Sequence, residues 1–191
     1  MQPIEHRAMD NLRYIRETME RASSFTAVPG WGGVAMGVTA LAATIMAAQQ
    51  PTRDAWLGVW LVEALVAVGL GAFAMERKAR LAGVKLLSGP GRKFALSLAP
   101  PLVAGAFLTM VLYRAGQDAW LPATWLLIYG TAVTTAGAFS VPTVPLMGMG
   151  MMALGAVALF CPPAWGNWFM AAGFGVLQII FGTLIARKHG G

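Results

Sequence analysis

Charged residues, cysteines and histidines are scarce in this sequence, and each shortage excludes a class of protein. Of the 191 residues, 12% are charged and 57% are hydrophobic, whereas soluble domains carry roughly 25% charged residues. Too few polar side chains remain to cover a water-soluble surface, so lipid is the predicted solvent. The lone cysteine, Cys161, excludes an internal disulfide and any metal or redox centre built from several cysteines.

The apolar stretches also lack the residue types that catalysis needs. The only histidines, His6 and His189, lie outside these stretches, which excludes a bis-histidine haem site or a zinc site within them. Paired carboxylates are absent there, as are serine–histidine and cysteine–histidine arrangements. The sequence therefore predicts a protein that is not an enzyme and holds no cofactor or metal.

The net charge of +6 does not indicate nucleic-acid binding. The cations lie beside apolar stretches and form no compact basic domain, and cations in such places set membrane topology and contact anionic headgroups. The expected partners are the bilayer, its anionic headgroups, and either a second copy or another subunit of a membrane complex. The first 30 residues contain four arginines and four acidic residues before any apolar run, unlike a secretory signal peptide.

Six apolar stretches approach or exceed the length that crosses a bilayer as a helix, which is about 20 residues. Short polar or proline-containing breaks separate them, so consecutive helices are expected to be antiparallel neighbours. The predicted fold class is an all-α polytopic membrane bundle of three two-helix hairpins, preceded by an amphipathic helix and linker over residues 1–30. The fifth span is the weakest, because Gly148 and Gly150 lower its helix propensity. The predicted spans are residues 31–49, 55–75, 94–113, 119–139, 144–161 and 166–186.

Lysine and arginine are distributed unevenly among the connections. Twelve of the 14 fall in the N-terminal segment, in residues 76–93 or at the C-terminus. The other two, Arg53 and Arg114, each lie near an aspartate. Because cytoplasmic loops carry the excess of basic residues, both termini and the 76–93 connection are predicted to be cytoplasmic.

The N-terminal segment, residues 4–24, has the pattern of an amphipathic helix. Charged residues occupy one side, and Glu17 and Arg21 are spaced as a favourable ion pair. Two interpretations stand. The helix lies on the inner headgroups or covers the protein's own cytoplasmic face, or it docks to a partner or a second copy through an apolar stripe. The docking residues in that case are Leu12, Ile15 and Met19.

A weak repeat divides the chain into three units. The motif Asp-Ala-Trp-Leu occurs at residues 54–57 and 118–121, and Ala164-Trp165 stands at the corresponding place in the third unit. Each motif opens the second helix of its hairpin. Tryptophan at helix entries is typical of an aromatic belt at the membrane interface.

Glycine and proline recur at related places around the turns of the first and third hairpins. The residues that carry this pattern are Gly33, Gly37, Pro51, Gly69, Gly71, Gly148, Gly150, Gly155, Pro162, Gly173, Gly175 and Gly182. With the chain length and the hairpin arrangement, the pattern resembles the HdeD-type bacterial membrane proteins. The middle hairpin departs from it, with Pro100-Pro101 inside its first helix, and so does the charged N-terminal helix. The resemblance implies a multi-pass protein of the bacterial inner membrane that is linked to acid or envelope stress and has no known catalytic residues.

Glu63 is the only formally charged residue within a predicted span. It lies about 12 Å along the helix from Ala55, at 1.5 Å per residue, and hence near mid-bilayer. An ionised carboxylate there costs on the order of 3 kcal/mol or more, so it should be neutral or partnered. Either it couples a proton or cation, or it is a neutral acid that hydrogen-bonds between helices. The polar residues that would assist coupling are Thr131, Thr134, Thr135, Asn167 and Gln178.

Pro100-Pro101 interrupts the third span. Each proline removes a donor and frees the carbonyl four residues earlier, at Leu96 and Ser97. Free carbonyls at membrane depth must face protein, water or an ion. The pair therefore marks either a plain kink or a cation site formed by Ser97, Pro100 and Pro101.

Small residues spaced by four indicate close packing of helices. They are Gly33 with Gly37, and Ala171 with Gly175. The function predicted from all these features is that of a non-enzymatic accessory subunit, sensor or stress-associated scaffold with a cytoplasmic docking helix. The alternative is a small proton- or cation-coupled transporter or channel that uses Glu63.

Overall fold

A computed structural model describes residues 25–83 and 89–189, together with Leu12 and Leu86. This part of the chain is helical, which confirms the predicted all-α class, and it forms six helices. The helices are α1 (Gly30–Ala48), α2 (Arg53–Leu81), α3 (Gly89–Arg114), α4 (Leu121–Gly137), α5 (Thr143–Ala158) and α6 (Pro163–His189). Four of them, α1, α2, α3 and α6, are long and apolar enough to cross a membrane.

The two remaining helices are short. α4 has 17 residues and α5 has 16, which gives lengths of about 25 Å at 1.5 Å per residue, slightly less than a hydrocarbon core of about 30 Å. The predicted N-terminal helix lies outside the described residues except for Leu12, whose side chain is exposed. Ile15 and Met19 are among the residues that the structure does not describe.

Local signals in the sequence set the ends of α2. The Thr52 hydroxyl accepts a hydrogen bond from the Ala55 amide at 3.2 Å and so caps the first turn. The helix continues beyond the predicted end at residue 75 because Glu76 and Arg80 form an ion pair one turn apart. It stops before Gly83, whose φ of +65° few other residues adopt.

The repeated Ala-Trp motif takes two forms. Asp118–Trp120 and Pro163–Trp165 each form a 3₁₀ turn that leads into a longer helix. In the first unit the same motif lies inside the first turn of α2, where Thr52 supplies the cap. The sequence repeat is thus a structural repeat in two of its three copies.

The helices form a ring that is left unsealed between α2 and α3. α1 packs against α2 and α6, α6 also packs against α5, and α4 packs against both α5 and α3. α2 and α3 hardly touch within the described residues. The most extensive contact joins α4 to α5, which belong to different predicted hairpins, so the packing cuts across the hairpin units.

Glycine brings α4 and α5 unusually close. A Cβ atom added at Gly148 would lie 2.6 Å from the Gly130 carbonyl oxygen and 2.3 Å from Thr134 Oγ1. A Cβ atom at Gly130 would lie 2.6 Å from the Gly148 carbonyl oxygen. The two backbones therefore meet directly, as small residues permit in membrane bundles.

α1 and α6 meet in the same way. A Cβ atom at Gly37 would lie 2.8 Å from the Gly175 carbonyl oxygen, and one at Gly33 would lie 3.3 Å from Gly182 Cα. Gly33, Gly37 and Gly175, which the spacing singled out for close packing, thus lie at one interface. Ala171, the remaining member of that set, is half-buried on α6.

The two ends of the bundle differ in chemistry. At one end, here called the Trp end, Arg53 lies 3.6 Å from Asp118 and its guanidinium lies 4.8 Å from the centre of the Tyr113 ring. The Tyr113 hydroxyl donates to Asp54. These contacts join the start of α2 to the end of α3, although the two helices hardly touch elsewhere.

The opposite end, here called the basic end, is crossed by residues 25–29, which we call the strap. The Phe25 amide donates to the Phe139 carbonyl at 2.7 Å, and Ser140 Oγ donates to the Phe25 carbonyl at 2.7 Å. Lys78 Nζ donates to the Val28 carbonyl at 3.0 Å. The strap thereby contacts α2 and the α4–α5 turn before the chain enters α1.

The Phe25 side chain anchors the strap from inside. Its ring is 6% exposed and lies 5.0 Å from the Phe94 ring of α3, measured between centroids. Ala79 of α2 is buried in the same apolar cluster. The strap is therefore attached to α2, α3 and the α4–α5 turn by hydrogen bonds and side-chain packing.

Candidate functional site

Glu63 lies at the interface of α1 and α2. It is 9% exposed, while its neighbours Val62 and Leu65 are 61% and 74% exposed on the outward face of α2. Its carboxyl oxygen Oε1 lies 2.8 Å from Thr39 Oγ1 on α1. The carboxyl group thus faces the bundle, and Thr39 is its hydrogen-bond partner among the described residues.

The Thr39 hydroxyl has one proton and several acceptors within reach. Besides Glu63, the Met36 carbonyl lies 2.9 Å away and the Ala35 carbonyl 3.3 Å away. Thr39 Oγ1 is the donor to Glu63 Oε1, and a protonated Glu63 leaves this proton shared with the carbonyls of the Thr39 helix, because the oxygen of a neutral acid is the weaker acceptor. An ionised Glu63 would compete for the single proton. The contact is thus well suited to a neutral acid that joins two helices.

The threonines named as coupling residues bond to their own helix. Thr131 Oγ1 donates to the Leu127 carbonyl at 2.8 Å, and Thr134 Oγ1 donates to the Gly130 carbonyl at 2.7 Å. Such bonds satisfy a hydroxyl inside an apolar helix without a partner elsewhere. These threonines do not join Glu63 in one polar cluster.

Pro100-Pro101 lies within α3, which continues as one helix from Gly89 to Arg114. The freed Ser97 carbonyl lies 3.2 Å from Thr135 Oγ1 of α4, whose hydroxyl also reaches two carbonyls of its own helix. Ser97 O therefore faces a neighbouring helix. The contact favours the plain kink over a cation site.

Asn167 belongs to an aromatic cluster near the Trp end. Trp56 Nε1 donates to Asn167 Oδ1 at 2.8 Å, and the Trp56 and Trp125 rings are stacked 5.7 Å apart. Trp125 Nε1 donates to Thr109 Oγ1 at 2.7 Å. Trp56 is thus held between helices, unlike an exposed residue of an interfacial belt.

The other two motif tryptophans lie at the surface. Trp120 is 44% exposed and Trp165 is 54% exposed. Their position at the Trp end suits the belt that was expected for all three. Trp56 differs because α4 supplies a stacking partner for it.

A cavity of about 80 Å³ lies in the half of the bundle nearer the basic end. All six helices contribute to its wall, and the described wall carries no charged side chain. The lining is largely apolar, with Tyr129 and Gln178 as its two polar side chains. Glu63 is not among the lining residues.

Gln178 is the one coupling candidate that reaches this cavity. Its side chain is 5% exposed and interacts with the Tyr129 hydroxyl. Its Oε1 atom has no hydrogen-bond partner within the described ranges. Seven residues of π-helix, Ala171–Leu177, directly precede it, and π segments are frequent at functional sites.

Sequence reasoning missed three of these features: Thr39 as the partner of Glu63, the cavity, and the π segment. Threonine is common in apolar helices, so Thr39 carried no signal of its own. Inside the π segment, Gly175 was interpreted as a packing residue, and Gly173 was noted only as part of the recurring glycine and proline pattern. The proposed coupling residues lie apart from Glu63, and among the described residues Thr39 is the one that hydrogen-bonds with its carboxyl group.

The acidic, cysteine and histidine residues of the described chain form no group of three or more that could hold a metal ion. The geometry is that of an apolar bundle with a carboxyl–hydroxyl pair, Glu63 and Thr39, between two helices and a polar amide, Gln178, in a cavity. Comparison of the chain with protein-family models, curated proteins and solved structures finds no match.

Proposed function

We propose that the protein is a non-enzymatic membrane scaffold or sensor that binds a partner through its N-terminal segment. The observation that carries this proposal is the strap. Residues 25–29 are held by Lys78, Phe94, Phe139 and Ser140, so the chain is fixed to the bundle from Phe25 onward. A partner bound to residues 4–24 would therefore act on the basic end of the bundle through the strap.

The environment of Glu63 supports a scaffold more than a coupled transporter. The carboxyl group is partnered by Thr39 at 2.8 Å, and the polar residues that would extend a relay bond elsewhere. The cavity wall is apolar and does not include Glu63. A proton or cation path needs polar groups that connect the site to water, and the described residues supply no such chain.

The proposal places six spans in the bacterial inner membrane, with both termini in the cytoplasm. Four helices have the length for this on their own. α4 and α5 are short, but Asp118–Trp120 extends α4 by one 3₁₀ turn, and mismatch of a few ångströms has a modest cost. The basic end would face the cytoplasm because most lysines and arginines of the chain lie there or in the N-terminal segment.

The test is association of the full chain in mild detergent. Changing the apolar stripe with Leu12→Glu, Ile15→Glu and Met19→Glu should reduce the yield of the co-purifying partner, or of the second copy, by about tenfold, the equivalent of 1.4 kcal/mol. The matched control carries Arg13→Gln and Arg16→Gln, which alter the charged side of the same helix and should leave association within about twofold. Quantitative mass spectrometry of the purified complex measures both.

Two results would contradict the scaffold proposal. One is a stripe variant that retains its partner at the wild-type ratio. The other is a proton-coupled flux in proteoliposomes that Glu63→Gln abolishes, since the amide preserves the contact with Thr39 but cannot release a proton. Such a flux would establish the transporter alternative.

A further inference from the structure

The central cavity has a wall of unusual composition for a membrane bundle. Each of the six helices contributes at least one apolar side chain to the wall, and three of these side chains are flexible methionines. One such residue from each helix, in chain order, is Met36, Met75, Leu98, Val133, Met147 and Ile185. Methionine adapts its shape to irregular contents. An apolar space of this size is suited to part of a small hydrophobic molecule.

Gln178 gives this apolar space one polar feature. The side chain is only 5% exposed, and it forms part of the cavity wall. Its Oε1 atom is unpartnered among the residues that the structure describes. A buried acceptor without a partner is unfavourable, so a ligand that donates a hydrogen bond to Gln178 Oε1 binds more tightly than one that does not.

The cavity has a route to the lipid. Among the described residues, every neighbouring pair of helices around the ring is packed except α2 and α3, and both of these helices contribute to the cavity wall through residues such as Gly71 and Leu98. On the outward side, Phe73 of α2 is 69% exposed and Leu96 of α3 is 60% exposed. This gap between α2 and α3 is where a molecule dissolved in the membrane would enter.

The chemistry of the wall selects among ligands. An ion would meet no opposite charge in the described wall. A hydrocarbon would offer no hydrogen-bond donor to Gln178 Oε1. Water finds only two polar side chains in the wall, those of Gln178 and Tyr129, which is the minimum of the two to four partners that a buried water needs, and it leaves the apolar wall without contacts. A hydroxyl group both donates and accepts, so it pairs with either end of an amide, and an attached alkyl chain covers the apolar wall.

We propose that the cavity binds a neutral, membrane-dissolved aliphatic alcohol. Its hydroxyl group hydrogen-bonds with Gln178 beside Tyr129, and its alkyl tail leaves through the opening between α2 and α3. The volume fits this arrangement, because about 150 Å³ accommodates benzene and 80 Å³ holds only the hydroxyl end and the first carbons. The site is independent of whether residues 4–24 bind a partner.

The experiment is photolabelling of the full chain in proteoliposomes with an octanol that carries a diazirine on its third carbon. The reactive carbon then lies close to the hydroxyl group. Adducts are expected on the inner wall, at Val133 and Met147. An excess of 1-octanol should suppress them, whereas octane at equal membrane concentration should not.

Gln178→Leu should reduce the inner-wall adducts by about fivefold to tenfold, as expected for one hydrogen bond, with labelling of lipid-facing residues unchanged. Val133→Phe should reduce them by filling the cavity without touching the amide. Leu146→Phe is the matched control, because Leu146 lies next to Met147 but is exposed on α5, away from the opening between α2 and α3, and it should have no effect.

Three results would overturn the proposal: adducts confined to outward residues such as Phe73 and Leu96, equal competition by octane, or inner-wall labelling that persists in both Gln178→Leu and Val133→Phe. If either Gln178→Leu or Val133→Phe aggregates in gel filtration, the other variant alone decides the test. The two variants act on different features of the site, the amide and the cavity volume.

Discussion

Phe25→Ala is expected to lower the free energy of unfolding by about 3 kcal/mol, the lower end of the range for buried phenylalanine. The ring is 6% exposed and packs on Phe94, so its removal leaves a void where the strap meets α3. The backbone bonds to Phe139 and Ser140 should then break more often. Equilibrium unfolding in mixed detergent micelles measures the first effect, and limited proteolysis of the strap measures the second.

The matched control is Phe160→Ala at the Trp end. Phe160 is 91% exposed, and exposed substitutions usually change stability by less than about 0.5 kcal/mol. Equal losses for Phe25→Ala and Phe160→Ala would mean that the strap is not anchored by its aromatic residue. The mechanical link from residues 4–24 to the bundle would then lose its support.

Gly148→Ala should destabilise the protein by about 2 kcal/mol, the size of a typical overpacking penalty. The added methyl group would lie 2.3 Å from Thr134 Oγ1 and 2.6 Å from the Gly130 carbonyl oxygen, and a backbone oxygen cannot move aside as a side chain can. The helices α4 and α5 must then separate. The loss persists although alanine is the better helix former by about 1 kcal/mol.

Gly69→Ala provides the comparison, because a Cβ atom at Gly69 meets no other atom within 4 Å. The variant should be as stable as the wild type or slightly more stable, since only helix propensity changes. Thermal unfolding in detergent measures both variants side by side. Indistinguishable melting temperatures would contradict the direct contact of the α4 and α5 backbones.

Apolar stretches predicted the helices well because the bilayer requires long runs of hydrophobic residues. Because Glu76 and Arg80 are charged, the apolar span was predicted to end at residue 75. An ion pair between these two residues stabilises the last turns of α2. The strap was predicted as part of the helix and linker over residues 1–30, and its residues 25–29 are not helical in the structure. Its attachment to Phe139 and Ser140, more than 100 residues later, left no local pattern.

Helix partners were harder to predict than helices. In lipid an outward face and a packed face are both apolar, so hydrophobicity does not distinguish them. Gly148 appeared in the sequence as a weakness of the fifth span, whereas in the fold it is the surface on which α4 lies. Gln178 was selected only as one polar residue among several, since its place in the cavity depends on all six helices.

Both proposals, the scaffold and the alcohol site, require that lipid surrounds the helices, and the scaffold proposal also requires that the basic end faces the cytoplasm. Cys161, the single cysteine of the chain, follows α5 at the Trp end and is partly exposed. A membrane-impermeant maleimide added to intact cells is predicted to label Cys161, whereas a cysteine introduced at Gly83 in a Cys161→Ala background should react only after permeabilisation. The reverse pattern, with Gly83→Cys labelled from outside and Cys161 protected, would contradict the account.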